Sequence, residues 1–150
     1  MYKLILFSDS YKHFEGAVKE YEKRLSKEIE IIKLKPSKRK NEGEVIEEET
    51  SILREKLEKI KGYKILLYIE WNIISTQELF ELVEKKKQTF WDIVFIIWWA
   101  YGVDFEKVIH LIDFKLSFSA MTFPHSMAYL ILLEQIYRTL MIKKGSGYHH

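Results

Sequence analysis

The chain has 150 residues, 47% of them hydrophobic and 15% aromatic, enough for one domain that buries roughly two thirds of its unfolded surface. A formal net charge of +2 with 31% charged residues excludes a polyelectrolyte, so charge alone does not point to nucleic acid. The absence of cysteine excludes disulfides, thiolate metal sites and cysteine nucleophiles and fits a cytoplasmic protein, and no run approaches the roughly 18 apolar residues of a membrane span.

Met1-Tyr2-Lys3-Leu4-Ile5-Leu6-Phe7 is too short an apolar run for a signal segment and predicts a strand over 3–7. A helical pattern follows over 12–26, then a strand over 28–34. The loop Lys35-Pro36-Ser37-Lys38-Arg39-Lys40-Asn41 concentrates four basic residues and reads either as a solvated loop or as a phosphate contact. The helix predicted over 44–61 opens with Glu44, Glu47, Glu48 and Glu49 and closes with Lys56, Lys59 and Lys61, a polarity that complements the helix dipole without a functional reason. Strands over 64–69, 92–97 and 112–118 then alternate with helices over 76–86 and 104–109, and a last, most apolar helix runs from His125 to about Lys143. Five strands alternating with five helices predict an α/β fold on a mostly parallel sheet, one domain over 1–150. In the last helix Met127, Leu130, Ile131, Leu132, Leu133, Ile136, Leu140 and Met141 occupy more than one face. That helix is either the central core helix or one that also meets a second surface, such as a dimer partner.

Ligands of such sheets bind at the carboxyl ends of the strands, and the loops after Ile69, Ile97 and Phe118 qualify. His125, just after Pro124, reads as a helix N-cap or a phosphate contact. Tyr148-His149-His150 follows Gly145-Ser146-Gly147 as an aromatic, titratable tail with no apolar pattern to bury it, either functional or a remnant of expression. Arg138 reads as a phosphate contact or as half of a helix-surface ion pair. No metal cluster, nucleophile triad or phosphate loop is present in the sequence.

Leu116-Ser117-Phe118-Ser119-Ala120-Met121-Thr122-Phe123-Pro124-His125, Glu134-Gln135-Ile136-Tyr137-Arg138 and Gly147-Tyr148-His149-His150 together resemble the RlmH family. The register continues upstream through Phe95-Ile96-Ile97, Ala100 and Gly102, Ser75-Thr76, and Glu20-Tyr21-Glu22-Lys23-Arg24-Leu25, so the resemblance covers essentially the whole chain. It implies a SPOUT-type α/β knot, in which the C-terminal segment threads a loop to form a trefoil knot, a topology that pattern cannot reveal. It also implies a homodimer that uses S-adenosyl-L-methionine to methylate N3 of a pseudouridine in large-subunit (23S) ribosomal RNA, free or in the assembled ribosome, with no membrane and no metal. The implied cofactor-binding residues are Leu67 and Trp71 in the first loop, Trp98, Trp99, Ala100 and Gly102 in the second, and Leu116, Ser117, Phe118 and Met121 in the third. Tyr148, His149 and Arg138 are the implied catalytic residues. The tail would reach toward the partner's cofactor, with His149 assisting removal of the imide proton, Tyr148 stacking on or orienting the base, and Arg138 meeting phosphate or developing charge.

The chain departs from the family inside the implied pocket. Trp98-Trp99 stands where relatives carry a glycine pair and Trp71 where they carry a glycine, while Tyr129 replaces a usual arginine. Bare backbone is needed there for close approach and positive φ, conformations that cost a bulky residue about 1–3 kcal/mol. All four tryptophans, Trp71, Trp91, Trp98 and Trp99, fall at expected turns. Reading them as UGA codons decoded as glycine would raise the glycine count from 6 toward the usual share of about 7%. If they are genuine, the chain reads instead as a knotted dimeric scaffold or RNA-binding relative that has lost cofactor binding.

Overall fold

The computed structural model describes residues 1–7, 10–97 and 102–149, with only the backbone of Ile69. Five strands form one sheet: β1 (Tyr2–Phe7), β2 (Ile29–Leu34), β3 (Tyr63–Ile73), β4 (Ile93–Ile97) and β5 (Phe114–Ser117). Their spatial order is β2-β1-β4-β3-β5, and every pairing is parallel. The helices are α1 (Glu15–Arg24), α2 (Glu42–Lys59), α3 (Thr76–Lys87), the single turn α4 (Phe105–Val108) and α5 (His125–Lys143), with short 3-10 turns at Lys12–Phe14 and Ile109–Leu111.

Because successive side chains in a strand point to opposite faces, the buried strands divide into two cores. Leu4, Leu6, Ile65, Leu67, Ile93, Phe95 and Ile97 face α1, α3 and α5, while Ile5, Phe7, Leu66, Val94 and Ile96 face α2 and α4. At the amino end of the sheet the Lys3 ammonium lies 2.8 Å from Asp92, and Trp91 stands beside it with its indole 90% exposed.

The predicted elements all form, with displaced ends. α2 starts at Glu42 because the Asn41 carboxamide accepts the Glu44 N–H at 3.2 Å. β5 starts at Phe114 rather than 112, since Ile112 closes a 3-10 turn and the Asp113 carboxylate accepts the Lys64 N–H at 2.7 Å. β3 runs to Ile73, four residues past its expected end, for a reason that shapes the candidate site.

Candidate ligand site at the carboxyl rim of the sheet

The carboxyl ends of β1, β4, β3 and β5 lie along one rim, onto which the three expected loops open. Leu67, 6% exposed, is paired with both Ile97 and Leu116. Beyond it the register slips. Leu116 pairs with Leu67 and again with Asn72, so residues 68–71 arch out of the ladder before β3 resumes beside β5. The Asn72 amide then donates to the Lys115 carbonyl at 3.0 Å. Trp71 therefore belongs to an arch inside a strand, not to the turn its position suggests.

Its indole stacks on Phe105 at 5.5 Å and 25°, with Tyr68 6.0 Å from the same ring and the Lys115 ammonium 3.8 Å over the indole. Trp71 thus ties the first loop to the start of α4, toward which the second loop leads. Trp98, Trp99 and Ala100 lie outside the described residues. Gly102 has a φ of 75°, a left-handed conformation that glycine takes without strain. The following loop is moored to α2 where the Asp104 N–H donates to the Thr50 hydroxyl at 2.8 Å.

In the third loop Leu116 and Ser117 are buried. The Ser117 hydroxyl donates to the Ser119 carbonyl at 2.8 Å, and the Ser119 hydroxyl accepts the Met121 N–H at 3.0 Å, so the turn is braced from within while the Met121 side chain faces solvent. Leu116 and Phe118 line a cleft of about 170 Å³ with Ile74, Ser75, Thr76, Leu79, Ile131 and Gln135. Ligand pockets usually span about 300–1,000 Å³, so this cleft alone holds only part of a nucleoside-sized cofactor. For such a cofactor, Leu67 and Leu116 offer an apolar floor and Gly102 a backbone without a side chain; Trp71 is the described residue that does not fit, a bulky ring packed against Phe105 of α4 and Lys115 of β5.

His125 does not cap α5. Pro124 occupies the cap position and His125 is already helical. Its side chain borders a cavity of about 10 Å³ beside Tyr11, Ser126 and Tyr129, room for no more than one water. Burial, then the nearby charge of Lys12, lowers its pKa from the usual value, favouring the neutral imidazole. Tyr129 is buried, stacks on Tyr11 at 5.1 Å and donates to the Glu22 carboxylate at 2.9 Å. Burial and the neighbouring Tyr11 and Glu22 push its pKa strongly upward, so it stays a neutral phenol and cannot replace an exposed arginine.

Arg138 donates through Nε and Nη2 to one oxygen of Glu134 at 2.9 and 2.6 Å, the ion-pair alternative of the two readings. The tail folds back onto its own chain. Tyr148 sits edge-on to Tyr137 at 5.0 Å, the Arg138 guanidinium lies 4.9 Å from its ring centre, and its hydroxyl is 3.4 Å from both Tyr21 and Glu134. Hydrogen bonding to Tyr21, helped by desolvation and the charge of Glu134, pushes its pKa up to about 12. The tail's lack of apolar periodicity concealed this docking, whose signal was the complementary set Tyr21, Tyr137 and Arg138. His149 is exposed, and His150 lies outside the described residues. The Tyr148 contacts stand one hydrogen bond from the cleft, since the Glu134 carboxylate also accepts from the Gln135 amide at 2.7 Å and Gln135 lines the cleft. Among the described residues no group of His, Asp and Glu could hold a metal ion, and no helix is long and apolar enough to cross a membrane.

Comparison with known proteins gives a consistent picture. Residues 2–149 match the family model described as "Predicted SPOUT methyltransferase". The chain is 36% identical over 148 residues to the ribosomal RNA large subunit methyltransferase H of Clostridium botulinum (strain Okra / Type B1), covering 92% of this chain and 91% of that one. It is 38% identical over 148 residues to the protein of the same name from Clostridioides difficile (strain 630), and 33% identical over 150 residues to that of Acetivibrio thermocellus, with the same coverage.

Proposed function

The chain belongs to the SPOUT methyltransferase family, and from that premise we propose that it methylates large-subunit ribosomal RNA at N3 of a pseudouridine, using S-adenosyl-L-methionine. The observation that carries this proposal is near-complete coverage by relatives named for large-subunit ribosomal RNA methylation, at 36–38% identity for two of them. The convergence of three loops on the carboxyl rim supports it. We also propose the finer features of the fold: a trefoil knot formed by the segment leading into α5, and a homodimer acting in the cytoplasm.

The bound cofactor supplies an electrophilic methyl group on a sulfonium. Transfer forms the N3–C bond, breaks the C–S bond and releases the N3 proton. The protein's task is positioning, which can remove about 7–11 kcal/mol of an otherwise bimolecular barrier. Leu67, Leu116, Ser117, Phe118, Met121, Gly102 and Ala100 would bind and enclose the cofactor. Tyr148 would orient the base and His149 would accept the N3 proton, both in trans, since among the described residues Tyr148 meets Tyr21, Glu134, Tyr137 and Arg138 and not the loops. Arg138 would lock Glu134 and the tail in register.

The test is transfer of tritiated methyl to large-subunit particles or assembled ribosomes lacking the modification, followed by mass analysis of the labelled fragment. Methylation at any atom other than N3 of a pseudouridine would refute the assignment. The packing of Trp71 against Phe105 and Lys115 favours a second reading, a knotted scaffold or RNA-binding relative without cofactor, in which Trp98 and Trp99 would also fill the pocket. Calorimetry with S-adenosyl-L-methionine separates the two.

A further inference from the structure

The loop between β2 and α2 carries Lys35, Lys38, Arg39 and Lys40, all exposed, yet it is built from within. The Ser37 N–H donates to Glu49, a carboxylate only 2% exposed, at 2.8 Å. The Ser37 hydroxyl donates to Glu48 at 2.5 Å and accepts the Arg39 N–H at 3.1 Å. A buried carboxylate thus fixes the loop backbone, and a fixed loop loses little conformational entropy on binding.

The acidic start of α2 does not neutralise this loop evenly. Its carboxylates are directed at Arg39, which lies 3.8 Å from Glu44 and 3.6 Å from Glu48. Among the described residues Lys35, Lys38 and Lys40 have no carboxylate within ion-pairing distance. Lys35, Lys38 and Arg39 also border an open depression of about 350 Å³. Two further cations continue toward the site. Lys33 lies 5.1 Å over the Tyr11 ring, and Lys12 is close enough to depress the His125 pKa.

Position makes this track useful. The loop leaves the carboxyl end of β2, the same rim as the three ligand loops. With neighbouring strands about 4.8 Å apart, it stands about 10 Å from β4 and about 14 Å from β3 along the rim. The cleft lies at β5, about 19 Å from the loop along the rim, so a strand of RNA whose target base enters it would carry flanking phosphates over that distance.

We propose that Lys35, Lys38 and Lys40 form a preformed phosphate-binding ledge that grips the backbone of the RNA beside the target nucleotide. It rests on the reading of an RNA substrate and supplies affinity rather than base recognition, as phosphate contacts do.

The test compares Lys35→Gln/Lys38→Gln/Lys40→Gln with a control of equal charge change at the opposite end of the molecule, Lys56→Gln/Lys61→Gln/Lys85→Gln, both in the full chain. Binding to a fluorescein-labelled hairpin of large-subunit ribosomal RNA is measured between about 50 and 200 mM salt, with melting curves confirming folding. Three lost phosphate contacts should weaken binding at least about tenfold and flatten the slope of log K against log salt by about 2, while the control changes little. Equal weakening in both variants, or undiminished binding by the loop variant, would overturn the ledge alone. Absence of RNA binding by the unmodified chain would overturn the RNA substrate and the ledge with it.

Discussion

Trp91 faces solvent at 90% exposure and Trp71 lies outside the core with its ring against Phe105 and Lys115, whereas Phe95, Tyr2 and Tyr129 fill the core. An indole is the largest apolar side chain and is seldom left out of the interior, so the core depends on neither ring. This agrees with glycine as the natural residue, and the gene decides it: UGA at all four positions supports recoding, UGG refutes it. The unmodified chain is then expected to bind S-adenosyl-L-methionine weakly, and Trp71→Gly with Trp98→Gly and Trp99→Gly to restore binding. A combined obstruction of about 4 kcal/mol is a factor of about a thousand, micromolar against millimolar, which calorimetry resolves. Micromolar binding by the unmodified chain would show that the rings leave the pocket open. A second residue-scale prediction concerns His125. Its lowered pKa in the folded state means the unfolded chain binds more protons in acid, so its contribution to stability is present above the unfolded value and lost as pH falls through the folded one. His125→Gln should flatten the decline of melting temperature on acidification below about pH 6.5. An unchanged profile would remove His125 as its source.

At the scale of elements, α3 opens with a capping box in which Ser75 accepts the Glu78 N–H at 3.2 Å and Glu78 accepts the Ser75 N–H at 2.7 Å. Ser75→Ala should cost about 1 kcal/mol in denaturant unfolding, and because Ser75 also borders the cleft, activity should be watched alongside it. The tail makes a comparable prediction. Removing residues 148–150 deletes an edge-on aromatic pair, so the melting temperature should fall by about 2–4 °C, more than expected of a tail free of the fold. No shift would mean that Tyr148 is undocked in solution. Most elements were legible in the sequence because their signals are local: apolar runs for β1 and β4, Asn41 and Ser75-x-x-Glu78 for the starts of α2 and α3. The continuation of β3 was not, since Asn72 and Ile73 are held by pairing with Leu116 and Ser117, more than forty residues away. The same limit hid the Tyr11–Glu22–Tyr129 network, whose members meet only after α1 and α5 pack. The three candidate loops follow from the strand ends, which are local features; the contacts made by Trp71 and Tyr148 depend on tertiary partners.

For the molecule as a whole, α5 is the element most in need of company. No residue over 125–142 is fully exposed even in a single chain, and Met127, Leu130, Ile131, Tyr137 and Met141 remain part-exposed on its outer side. An apolar helix surface of this kind is the surface a second copy would cover, and sedimentation at micromolar concentration should find a dimer. A monomer would remove both the dimer and a site completed in trans. The strand order has a consequence of another kind, for folding. β1 and β2 form one early unit, β3 and β5 belong to the later half, and β4 joins the halves by pairing with β1 on one side and β3 on the other. Its partner β1 is separated from it by about 90 residues of chain, a loop whose closure is slow. A nascent chain therefore holds a β1–β2 pair and an unpaired β3 until β4 is free to insert between them, and β5 joins β3 only afterwards. The candidate ligand site is built on the ends of the strands that meet at that seam, so it should be among the last parts of the molecule to exist.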